Sequence, residues 1–107
     1  MAKRSKLPAP YKRLLDEYPK VGKAYDALGD AVHKAGPLDG RTRALIKLSI
    51  AVGARLEGAV HSHTRKALEA GATRKEILHA VVLAMPTIGL PSTVAALSWA
   101  WDVLDER

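Results

Sequence analysis

A chain of 107 residues is long enough for one domain with a modest core. Its balance, 48% hydrophobic and 26% charged, excludes a disordered chain, and the absence of cysteine excludes a disulfide framework, a Cys-ligated zinc and a thiol nucleophile. The formal charge of +6 invites a nucleic-acid partner, but the basic residues are scattered among acids and no nucleic-acid motif accompanies them, so none is expected.

The first nine residues, with Lys3, Arg4 and Lys6, read as a loose basic tail, and residues 10–107 as a single domain. Pro10 suits the first position of a short helix reaching about Tyr18, where Pro19 breaks it. Val21, Tyr25, Leu28 and Val32 then recur at i, i+4, i+7 and i+11, an amphipathic stripe ended by Gly36-Pro37. Asp39 is placed to cap a helix carrying Leu45, Ile46, Leu48, Ile50 and Val52. Apolar residues fall on most of its faces, so it is expected to sit centrally.

Gly53 and Gly58 mark a junction, after which a helix runs from about Ala59 to Ala70 and stops at Gly71. Thr73 and Glu76 form a T-x-x-E capping box opening a helix from Arg74 to about Met85. Pro91 begins the last helix, with Val94, Leu97, Trp101 and Leu104 on one face. The charge-free run from Ala80 to Trp101 is long enough to suggest a membrane span, but Pro86, Gly89 and Pro91 divide it into two short helices. It reads as core or interface, and no membrane partner is expected. No strand-like alternation occurs, and the expected fold is all-α with five or six helices. With no signal peptide visible at the N-terminus, the expected location is cytoplasmic.

Chemistry concentrates in Glu57-Gly58-Ala59-Val60-His61-Ser62-His63. At about 100° per residue, Glu57 and His61 share a helix face, while His63 points about 200° away from His61, toward the apolar side. Glu57 and His61 could supply two ligands to a divalent metal, with His79 the leading candidate for a third and His33 a weaker one. Alternatively His63, His61 and Glu57 serve in proton transfer. An i, i+4 Glu–His pair also forms as a plain surface ion pair, and a histidine on an apolar face also serves as a core residue. The residues alone leave these readings open. Phosphate-binding loops, nucleophile elbows and H-E-x-x-H are missing.

The run from Arg41 to Ala96 resembles the carboxymuconolactone decarboxylase family, which includes the alkylhydroperoxidase AhpD-like proteins. The strongest pieces are HTRKALEAGATRKEIL, from His63 to Leu78, and the G-L-P of Gly89 to Pro91. The resemblance implies an AhpD-like bundle around a helical hairpin, assembled as a homo-oligomer, usually a trimer or hexamer, acting on a small-molecule substrate. In the peroxidase branch the site is a Cys-x-x-Cys-x-x-x-His helix served by an upstream Glu. Here the His falls on His63, but Leu56 and Ala59 stand where the thiols would act, and Ala44 where the Glu would. Thiol peroxidase activity is therefore not expected, since peroxide reduction needs a thiolate and a resolving thiol. The decarboxylase branch lacks the Cys pair and keeps the equivalent of His63. That implies a lyase acting by decarboxylase- or lactone-type acid–base chemistry, with Arg65 or Arg55 holding a substrate carboxylate. A metal-dependent enzyme and a non-catalytic oligomeric binding protein are the alternatives.

Overall fold

The computed structural model describes residues 8–106, so the basic cluster Lys3, Arg4 and Lys6 lies outside the described residues. The described chain is helical, with no strand among its residues. Its helices are α1 (Ala9–Glu17), α2 (Pro19–His33), α3 (Gly40–Gly53), α4 (Glu57–Glu69), α5 (Arg74–Val82), the four-residue α6 (Met85–Ile88) and α7 (Leu90–Leu104). Six are nine residues or longer, matching the expected count, and α6 is a single added turn. Two compact units are distinguished, divided between Pro37 and Leu38.

In the first unit, α1 and α2 pack on one another. The rings of Tyr11 and Tyr25 meet edge to face, with centroids 6.5 Å apart. Gly22 is the buried residue of α2, and the end of the Leu15 side chain lies where a Cβ at Gly22 would sit, 2.7 Å away. The stripe Val21, Tyr25, Leu28 and Val32 forms as a helical face, but all four side chains are more than half exposed.

In the second unit, α4 packs chiefly on α3 and α7, and α5 also contacts both of those helices. Asp39 caps α3 as expected, its Oδ1 accepting from the Thr42 N–H at 2.8 Å. Thr73 and Glu76 close the complete capping box: the Glu76 N–H donates to Thr73 Oγ1, and the Thr73 N–H donates to Glu76 Oε1. These bonds satisfy backbone donors that a helix start leaves without intrahelical partners. They also favour the ionised carboxylates, so both acids sit below their usual carboxyl range, backbone hydrogen bonding being the leading cause in each.

The core is built from Leu48 and Val52 of α3, Val60 and Ala67 of α4, Ile77 and Val81 of α5, and Ala96 and Ala100 of α7. Burying a side chain the size of Leu48 or Ile77 contributes about 1.5–3 kcal/mol, so a core this poor in large residues is modest. The central place expected for α3 holds on one side, where Ala44, Leu48, Ala51 and Val52 are buried. Its other side is open: Ile46 is exposed, and Ile50 is 64% exposed.

The last helix departs from its expected register. Its buried residues are Thr93, Ala96, Ala100 and Val103, whereas Val94 and Trp101 of the expected stripe are 49% and 40% exposed. Small side chains let α7 approach its neighbours closely, and Leu97 and Leu104 of the stripe still pack partly buried against the core while Val94 and Trp101 are exposed.

Candidate active site

The hairpin α3–α4 reverses over Ala54–Leu56, where the Leu56 N–H donates to the Ala51 carbonyl at 3.1 Å. Arg55 takes a positive φ of 58°, a conformation uncommon outside glycine, and its Nε donates to Ser92 Oγ at 3.0 Å. Leu56 then serves as the N-cap residue of α4 without a side-chain cap bond, and it is exposed. The two positions where the resemblance places thiols thus carry an exposed leucine and a half-buried alanine, Ala59.

Val60, Thr64 and Ala67 are the buried stripe of α4. The candidate residues divide about it. His61 lies on the flank facing α7, where its Nε2 is 3.0 Å from Oδ2 of Asp102. Arg65, one turn further along, is 3.6 Å from Glu106, four residues beyond Asp102 and just past the end of α7. Partners that advance together by four residues show that α4 and α7 run in the same direction.

The helical angle puts His63 on the opposite flank of α4 from His61. Its side chain is half-buried, and Nδ1 is enclosed from solvent. Glu57 is exposed at the first turn of α4, and its side chain makes no hydrogen bond or ion pair among the described residues. His79 is also exposed, near the end of α5.

The chain therefore separates residues that the sequence groups together. His61 and His63 belong to opposite edges of one helix, and Glu57 joins neither in a bonded cluster. Among the described residues, no group of three or more His, Asp or Glu side chains is placed to hold a metal ion. Glu57, His61 and His79 accordingly do not assemble a metal site within one chain. Their approach would need α4 and α5 to present the same edge, and α5 instead packs mainly on α3 and α7. The expected carboxylate holders are also engaged, Arg65 beside Glu106 and Arg55 on Ser92.

Two residues that sequence reasoning passed over enter the site's surroundings. Asp102 is the partner of His61, and no local pattern could reveal it, because the pair spans 41 positions. Lys47 of α3 is half-buried, and burial, then Lys66 and Arg43, push its ammonium below the usual lysine range. Its i, i+4 spacing from Arg43 was readable, but its nearness to Lys66 depends on the hairpin.

Comparison with known proteins adds the family. The carboxymuconolactone decarboxylase family model matches residues 19–102, most of the chain. The chain belongs to the carboxymuconolactone decarboxylase family. The crystal structure of a carboxymuconolactone decarboxylase family protein from Legionella pneumophila is similar in fold, with a TM-score of 0.75 and 24% identity. That likeness covers 90% of this chain and 85% of the other. An uncharacterized protein of Haemophilus influenzae is 43% identical over 51 residues, which are 48% of this chain and 45% of that protein. The match thus takes in less than half the length of this curated relative. The family's all-helical fold is the one observed, and no described helix is long and apolar enough to cross a membrane.

Proposed function

We propose that this family member is the subunit of a homo-oligomeric lyase acting on a small organic acid or lactone, with His63 as the proton-transfer group. The observation that carries the reading is the setting of His63, a half-buried imidazole with Nδ1 enclosed, at the edge of the α3–α4 hairpin. A ring held in this way keeps one nitrogen in a fixed environment and is oriented for the exchange of a proton at the other. In a decarboxylation, the electron pair of the breaking C–C bond stays on the substrate. A positioned acid delivers a proton there as carbon dioxide leaves. Neither step requires a thiol. A cytoplasmic location belongs to the same proposal.

Self-assembly is supported by a separate observation. Ile50, Leu83, Leu90 and Val94 are each about half exposed or more, beside a core whose large buried side chains are few. A shallow groove of about 410 Å³ lined by Thr42, Leu45, Ile46, Ser49 and Ile50 lies along the outer side of α3. Exposed apolar side chains of this kind are ones a second copy of the chain would bury.

The test is turnover of a panel of carboxylated enol-lactones, followed by release of carbon dioxide and by NMR of the product. Replacing His63 with Gln should lower turnover at least 100-fold, within the usual contribution of general acid–base catalysis, with circular dichroism unchanged. Turnover by His63→Gln equal to that of the parent chain would overturn the reading.

A further inference from the structure

The first unit has almost no core of its own. No residue of α1 is buried, and Gly22 is the one buried residue of α2. Helices of nine and fifteen residues are marginal alone and draw their stability from whatever covers an apolar face. The end of Leu15 on α1 meets the Gly22 flank of α2, and the stripe Val21, Tyr25, Leu28 and Val32 is left more than half exposed. Successive members of that stripe stand four, three and four residues apart, the alternation of a helix-pairing seam. Ala24 and Ala31, both exposed, border it and are small enough for a second backbone to come close.

We propose that this seam is a two-fold contact, in which α2 of one chain pairs antiparallel with α2 of a second copy. The pairing rests on the homo-oligomeric reading above and gives that assembly a named surface. The spacing itself selects a second copy as the occupant. Four-three-four reads the same from either end, so reversal sets Val21 against the second copy's Val32 and Tyr25 against its Leu28. Complementarity to its own reverse is what an isologous contact requires. An antiparallel pair also sets the two helix dipoles head to tail. Lys23 and Asp30 each precede a stripe residue by two positions, which turns them about 200° from it, so pairing leaves both charges in water. The area is sufficient as well. Tyr18 and Leu14, seven residues before Tyr25 and Val21, continue the register and are exposed. At roughly 100 Å² for each half-exposed large side chain, the six offer about 600 Å² per chain and about 1,200 Å² per pair, the lower bound of specific interfaces.

The absence of cysteine makes introduced thiols specific reporters. The experiment treats the full chain carrying Val21→Cys and Val32→Cys with a short bis-maleimide and maps the linked peptides by mass spectrometry. Light scattering follows the mass of the parent and Leu28→Glu chains alongside. The two positions lie three turns apart on one helix, too far for a short linker to join within a chain. Antiparallel pairing should give a covalent dimer in which position 21 of one chain is joined to position 32 of the other. Leu28→Glu places a charge in the seam and should raise the dissociation constant at least tenfold, with circular dichroism unchanged. Links from 21 to 21 and from 32 to 32 would overturn the proposal by showing a parallel pair. No covalent dimer, or an unchanged mass in Leu28→Glu, while the parent chain is an oligomer would also overturn it and leave the homo-oligomeric reading standing. A monomeric parent chain would overturn both.

Discussion

Nε2 of His61 on α4 lies 3.0 Å from Oδ2 of Asp102 on α7. One turn along α4, Arg65 repeats the pattern with Glu106, just past the end of α7, at 3.6 Å. A third link, from Arg74 to Asp105 at 2.8 Å, ties α5 to the same end of α7. Basic groups on two helices thus meet the acidic last turns of the third. The pattern gives His61 a structural task, and it sets His61 apart from His63 although the two are neighbours in sequence.

These links are partly exposed, with the Asp102 side chain 62% accessible, so each is worth little individually. Asp102→Asn should lower unfolding free energy by less than about 1 kcal/mol. In thermal denaturation this appears as a fall of no more than a few degrees. A loss of several kcal/mol would mean that the pair holds the helices together far more strongly than its exposure allows.

Acid should weaken the second unit through its helix caps. Asp39 and Glu76 have folded pKa values below their ordinary ones, because each carboxylate accepts from backbone N–H groups. A depressed folded pKa contributes stability that is fully present above the unfolded value. That stability is lost as the pH falls through the folded value. The unfolding midpoint should therefore fall below about pH 4.5, the ordinary range of these acids. The decline should be shallower in Asp39→Asn and Glu76→Gln. Thermal melts of the three chains between pH 7 and pH 3 check this, and parallel curves would contradict it.

The outward apolar face of α3 gives the third expectation. Ile50→Glu places a charge on a side chain that is 64% exposed, so the helix itself should tolerate it. In an assembly that buries this face, the charge must be desolvated without a partner. Size-exclusion chromatography with light scattering should show the parent chain as an oligomer. The Ile50→Glu chain should shift toward monomer with its helicity intact. An unchanged mass would remove this face from the interface.

Much of the local structure was legible in the residues. The Asp39 cap and the Thr73–Glu76 box occur where short-range chemistry places them, because a cap needs only a side chain and an N–H three residues away. The breaks at Pro19 and Gly36-Pro37 hold for the same reason. The start of α4 at Glu57 instead of Ala59 and the extra turn α6 are small departures at helix ends, where local preferences are weakest.

The orientation of the helices was not legible to the same degree. Hydrophobic spacing identifies an apolar face but not what covers it: the α2 stripe is exposed throughout, and the α7 stripe is divided between exposed Val94 and Trp101 and core-packed Leu97 and Leu104. On α7 the alanines and Thr93 pack inward, where their small size admits close approach. The candidate site follows the same division. Sequence by itself determined the helices, their caps, the cysteine-free chemistry and the presence of His63 in the family's motif, because these depend on residue identity and short spacings. Tertiary structure alone decided that His61 belongs to Asp102, that Arg65 faces Glu106 and that Lys47 stands near Lys66. Each of these relationships depends on the packing of separate helices, and no short-range periodicity specifies it.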